Sequence, residues 1–121
     1  MNNKKIIGDL GEDMVCKFLA KKGFDILQRN FMCRYGEIDI IADDGETLLF
    51  VEVKTRKSGS LFLPRDAVTP SKRKKIIKTA YFYLMDYLGQ SCPRFDVVEV
   101  YILPDGKVGK IEHLENAFTV E

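Results

Sequence analysis

Histidine is almost absent from this chain. His113 is the single one in 121 residues, so no second histidine exists to build a histidine-based metal site. Cysteine is scarce too: Cys16, Cys33 and Cys92 form an odd set without Cys-x-x-Cys spacing, which points to neither a disulfide framework nor a zinc site. No apolar run approaches the length of a membrane span. The apolar stretch in Met1-Asn2-Asn3-Lys4-Lys5-Ile6-Ile7 is too short for a signal peptide, so the expectation is a cytoplasmic protein with no membrane partner. Internal repeats and linkers are missing. A large net charge is missing as well: 19 basic against 18 acidic residues give +1, which says nothing by itself about nucleic acid. With 45% hydrophobic residues the chain has enough apolar material for one compact domain spanning 1–121.

What the chain does hold is an acidic pattern on two neighbouring strands. Gly36-Glu37-Ile38-Asp39-Ile40-Ile41-Ala42 and Thr47-Leu48-Leu49-Phe50-Val51-Glu52-Val53-Lys54 flank Asp44-Gly45, a strong hairpin signal. A turn centred on Asp44-Gly45 pairs Asp43 with Glu46, Asp39 with Phe50 and Glu37 with Glu52. Strand alternation then puts Glu37, Asp39, Glu52 and Lys54 on one face, and Ile38, Ile40, Leu49, Val51 and Val53 on the other. Facing carboxylates cost roughly 0.2–1 kcal/mol in a ladder, so a positive partner is expected. A hard divalent cation, Mg²⁺ or Mn²⁺, fits that place, because such ions take one or two carboxylates plus waters and substrate phosphate. Lys54 would then hold the attacking water or neutralise the phosphate. An ordinary solvated Glu-Lys pair is the plain alternative. The apolar run Leu48–Val51 weighs against it, since it reads as an interior strand covered on both faces.

Two basic clusters stand beside this pattern: Lys54-Thr55-Arg56-Lys57, and Lys72-Arg73-Lys74-Lys75 with Lys78. The second opens a helix that Thr69 caps and Pro70 begins. Positive charge there opposes the helix dipole, and Lys72 and Lys75 share a face, so both are candidates for phosphate contact with Arg56, Lys57 and Arg73. The rest reads as a first helix from about Gly8 to Lys22 ended by Gly23, a strand over Phe24–Phe31, the hairpin, and a loop over Lys57–Asp66. The second helix follows, with Ile77, Ala80, Leu84 and Leu88 buried, then strands at Arg94–Leu103 and Val108–Leu114. Glu99 reads as outward-facing, Asp96 as a structural partner of Arg94 or Arg56, and the Tyr81–Tyr87 aromatics as core and rim. Glu12, beside the apolar stripe of the first helix, is either a surface acid or an inward one.

Asp39 followed by Glu52-Val53-Lys54 resembles the signature of the PD-(D/E)XK nuclease superfamily, which includes restriction enzymes and archaeal Holliday-junction resolvases. Across most of the chain, Gly8-x-x-Gly11-Glu12, Gly23-Phe24, Arg29-Asn30, Gly36-Glu37-Ile38-Asp39, Phe50-Val51-Glu52-Val53-Lys54-Thr55-Arg56, Pro64-x-x-Ala67-Val68 and Arg94-Phe95-Asp96-Val97-Val98 resemble the small bacterial YraN-like family. No proline precedes Asp39, and Val15 and Asp66 stand where the family pattern has Ala and Glu. The resemblance implies a restriction-endonuclease-like α/β fold of three layers, a mixed sheet flanked by helices in the order αβββαββ. It implies metal held by Asp39, Glu52 and the Val53 carbonyl, Lys54 on the water, and Glu37 and Glu12 as accessory acids. The expected function is metal-dependent hydrolysis of DNA, with branched or structured DNA implied by analogy with the resolvases, as is a homodimer. The rival expectation is a non-catalytic nucleic-acid-binding or adaptor module on the same fold.

Overall fold

Apolar side chains line both sides of the interior strands, and a helix covers each face. A computed structural model of the protein describes residues 3–57 and 68–120. The elements are α1 (Asn3–Lys21), β1 (Asp25–Cys33), β2 (Gly36–Asp43), β3 (Thr47–Lys57), α2 (Pro70–Leu84), β4 (Cys92–Ile102) and β5 (Val108–Phe118). The strands form one sheet in the order β1-β2-β3-β4-β5, with β3 and β4 parallel and every other neighbour antiparallel. This is the mixed sheet and the αβββαββ order expected from the sequence. A parallel pair needs a crossover, and α2 lies in it.

Each layer has its own core. Val15 and Leu19 of α1 pack on Ile40, Ala42, Leu49, Val51, Val98 and Val100. On the opposite face, Ile76 and Ala80 of α2 pack on Ile38, Ile41, Leu48, Phe50, Phe95 and Val97. Side chains buried this fully contribute roughly 1.5–3 kcal/mol each. The helix ends follow local chemistry. At the end of α1, Gly23 donates to the Ala20 carbonyl and Phe24 to that of Leu19, the paired bonds of a Schellman cap. At the start of α2, the Thr69 hydroxyl accepts the Lys72 N–H at 3.2 Å, as the capping reading requires. Close approach of α1 to β3 depends on Gly11, where an added Cβ would sit 2.3 Å from Thr55 Oγ1.

Several expectations need correction. The hairpin register differs by two residues: Asp43 faces Leu48, and Ile40 faces Val51. Asp44 causes the change, because its carboxylate accepts the N–H groups of Glu46 and Thr47 and so moves the turn onto Gly45-Glu46. A shift of two preserves alternation, so Glu52 and Lys54 keep their face. Ile38 does not, and it joins the α2-side core while Ile40 joins the α1 side. Alternation breaks beside Asn30, which adopts a left-handed backbone (φ 52°) between Arg29↔Ile40 and Phe31↔Ile38.

The second helix stops at Leu84, so Leu88 is 98% exposed, and Ile76, Thr79 and Ala80 form the buried face. Ile77 and Leu84 are only partly buried against it. Glu99 is fully buried, because β4 lies inside the sheet between β3 and β5. The final strand runs on to Phe118, past a bulge at which Asp96 accepts the Asn116 N–H. The loop read at Lys57–Asp66 and the Pro64 and Ala67 part of the motif fall outside the described residues; Lys57 itself ends β3.

Candidate active site

The last β2–β3 pair is Ile40 with Val51, and beyond it the two strands part. Asp39 stands at that point. Its Oδ2 accepts the Val53 N–H at 2.8 Å, which ties the carboxylate to β3 next to Glu52. Glu52 is 7% exposed, and its Oε1 is 3.6 Å from the Lys54 ammonium. From the other layer, α2 sends the Lys72 ammonium onto the same Glu52 oxygen. Glu12 of α1 approaches from the opposite side, with its carboxylate held by Arg29 and Asn30. Four elements thus meet where the sheet opens.

The electrostatics follow from crowding acids in a partly dry place. Burial, then the Glu52 charge beside it, pushes the Asp39 carboxyl up to about 7, with the Val53 bond working the other way and Glu12 adding to the rise. Burial also raises Glu12 above the ordinary carboxylate range against the pull of Asn30 and Arg29. Burial and the neighbouring Lys72 charge lower Lys54. For Lys72, burial works against the charge, but the bond to Glu52 and its other neighbours outweigh it and hold the group above its usual value.

Among the described residues no three Asp, Glu, His or Cys side chains come together as a ready cage for a metal ion. Two carboxylates are nevertheless what Mg²⁺ or Mn²⁺ asks of a protein when substrate phosphate and water complete the shell. Asp39 and Glu52 fit that requirement. The geometry is in its favour, because the Val53 N–H holds the Asp39 carboxylate next to the buried Glu52, and two acids in so dry a place call for a cation.

The structure brings Asp39, Glu52 and Lys54 together, sets Glu12 within electrostatic reach of Asp39, and leaves other expected residues apart. Glu37 is exposed, pairs with Met32 of β1, and lies past the end of the β2–β3 ladder, so it does not face Glu52. Arg56 donates through Nε to the buried Glu99 carboxylate at 3.0 Å. Arg73 donates to the Val68 carbonyl and lies over the Phe118 ring. Both side chains are engaged in the fold. Lys57 and Lys75 are exposed, and Lys72 is turned toward the acids.

Two arrangements escaped the sequence reading, and a third, the pairing of Asp96 with Arg94, was expected without its other partners. Lys72 is a direct partner of Glu52, and nothing in the spacing of α2 signals that contact. Glu99 gathers Arg56 and the Tyr101 hydroxyl, and no local pattern signals it, because Val98-Glu99-Val100 reads like a half-exposed strand. Asp96 is fully buried and accepts two bonds from Arg94, one from Asn116, and pairs with His113 Nε2 at 2.6 Å. His113 in turn meets Lys22 and the edge of Phe18, so the lone histidine pins α1 to the sheet.

Comparison with known proteins agrees with this layout. Residues 11–100 match the model of the uncharacterised protein family UPF0102. A UPF0102 protein of Geotalea daltonii is 48% identical over 97% of this chain and 92% of its own length. One of Caldanaerobacter subterraneus is 45% identical over 96% and 97%. Among solved structures, Hjc, a Holliday junction resolvase from the archaeal hyperthermophile Archaeoglobus fulgidus, superposes with a TM-score of 0.50 at 22% identity, covering 86% of this chain and 72% of Hjc. At that identity the likeness is one of fold. The chain therefore belongs to the uncharacterised UPF0102, or YraN-like, family, on a resolvase-like α/β fold.

Proposed function

We propose that this protein is a divalent-metal-dependent endonuclease that hydrolyses phosphodiester bonds in DNA, with branched or otherwise structured DNA as its substrate class. The observation that carries the reading is the Asp39–Glu52 pair at the parting of β2 and β3, with Lys54 on the same Glu52. Asp39, Glu52 and the Val53 carbonyl would hold Mg²⁺ or Mn²⁺, which when bound supplies Lewis-acid stabilisation of the phosphate and a more acidic water. Lys54, whose ammonium is weakened by burial and by Lys72, orients the attacking water and moves its proton. Glu12 is an accessory acid that raises the negative potential around Asp39. Lys57 and Lys75, both exposed, are the proposed phosphate contacts. The branched substrate rests on the likeness in fold to Hjc, a Holliday junction resolvase, and a homodimer is proposed only by analogy with the resolvases.

A second reading has one observation in its favour. Lys72 already neutralises Glu52, as it would in a module that binds nucleic acid without cutting it. The two readings part in a cleavage panel of supercoiled plasmid, linear duplex, flap, four-way junction, single strand and RNA, with Mg²⁺ or Mn²⁺. The nuclease reading expects cutting by the native protein and none by Asp39→Asn or Lys54→Ala. Junction binding without cutting by any of the three proteins would transfer support to the binding module. Cutting that survives both substitutions would remove Asp39 and Lys54 from the chemistry.

A further inference from the structure

Lys72 is a residue whose position needs an explanation beyond phosphate contact. It lies in the first turn of α2, where the helix dipole disfavours a cation, and it stands beside a second ammonium, that of Lys54. Its side chain is 40% exposed, so water is available to it. It nevertheless folds onto the Glu52 carboxylate, which is 8% exposed, and shares one oxygen with Lys54. Glu52 and Asp39 together form an acid pair that repels itself without a cation. In the structure two ammonium groups meet that pair, and one of them, Lys72, is tethered to the helix layer and not to the strand that carries Glu52.

We infer that Lys72 is a displaceable internal cation: it occupies Glu52 in the metal-free protein, and a divalent metal must turn it away in order to bind. The inference rests on the reading of Asp39 and Glu52 as the metal pair. A divalent ion on the Glu52 carboxylate would lie within a few ångströms of the Lys72 ammonium, and the repulsion between them, added to that of Lys54 on the same oxygen, favours the departure of the tethered group. The exchange is cation for cation, so the acid pair is never left bare. The Lys72 ammonium released by it stands at the head of α2 on the same helical face as Lys75, where a substrate phosphate would meet both. Metal loading then completes the phosphate-binding surface.

The test is Mn²⁺ affinity without substrate, followed by electron paramagnetic resonance or titration calorimetry, for the native protein, Lys72→Met, Lys75→Met and Asp39→Asn. Lys72 and Lys75 are on the surface of α2, and Lys75→Met removes the same charge from the same helix without a contact to Glu52. Lys72→Met is expected to bind Mn²⁺ about 5- to 30-fold more tightly, the scale of a part-buried ion pair. Lys75→Met should change affinity by less than about 3-fold, because its charge acts only through screened solvent. Equal tightening in both variants would reduce the effect to the general field and overturn the inference. Unchanged or weaker binding in Lys72→Met would overturn it too. If native binding is lost in Asp39→Asn while Lys72→Met binds no more tightly, the metal pair stands and only the displaceable cation falls. If Mn²⁺ binding is indifferent to Asp39, the metal reading and the inference fall together.

Discussion

A carboxyl group pushed up to about 7 is a liability to the fold and an asset to a site. The folded protein holds the Asp39 proton more tightly than the unfolded chain, where the group titrates near 3.8. Its contribution to stability is therefore present below about pH 4 and is lost as pH rises through about 7. Asp39→Asn removes that loss, and urea unfolding at pH 8 should show a gain of roughly 1–3 kcal/mol that shrinks towards pH 4. The same variant should lose activity, so stability and function move in opposite directions at one residue. Glu52 and Lys54 were legible in the sequence because alternation survives any even error of register, whereas Asp39, beside the break in alternation of β2, is placed by its bond to the Val53 N–H. Glu99 was not: Val98-Glu99-Val100 alternates like a half-exposed strand, and only the place of β4 inside the sheet shows that the carboxylate is buried against Arg56 and Tyr101.

Between elements, the contact that sets the site most tightly is the one α1 makes with β3. Gly11 lies against Thr55, one residue beyond Lys54, and Glu12 follows it in the helix. A methyl at Gly11 would fall 2.3 Å from Thr55 Oγ1, and a β-branched side chain in a strand cannot swing clear without bringing its own methyl into the gap. Gly11→Ala should cost about 1–3 kcal/mol by overpacking and displace Glu12 from the acids. Adding Thr55→Ala should restore most of the loss in a thermal melt, whereas Gly8→Ala, with open space around it, should leave the melt unchanged or slightly improved. The helix ends were readable from Thr69, Pro70 and Gly23, because caps are local chemistry. The register of the hairpin and the end of α2 were not. The first turned on which backbone groups Asp44 would capture, and the second on a helix that stops one turn before Leu88.

For the molecule as a whole, two buried aspartates impose opposite pH dependences. Burial opposes the charge of Asp96, but His113, Arg94 and the Asn116 N–H outweigh it and hold the carboxyl below its ordinary value. Its contribution is present above about pH 4 and is lost as pH falls through that lowered value. Asp39 loses its contribution in the other direction, between about pH 4 and 7. The metal-free protein should therefore be most stable in mildly acidic solution, while cleavage should rise through about pH 7 as Asp39 ionises. Melting temperature measured across pH with and without Mn²⁺ checks both halves. Mn²⁺ should raise it more at pH 8 than at pH 5, because a ligand of the ionised pair stabilises only where the pair is ionised.

The sheet also has an order of assembly written into its connections. β1, β2 and β3 are joined by short turns, so their pairings close small loops, whereas the parallel β3–β4 ladder must wait for the whole of α2 to be threaded between its strands. Asp39 and Glu52 belong to the local part and Lys72 to the late part. Along the chain the acids are gathered by a three-stranded meander, and the lysine that meets Glu52 comes only with the crossover. A fragment of the chain ending at β3 would therefore carry the acid pair without the α2 lysine that offsets it.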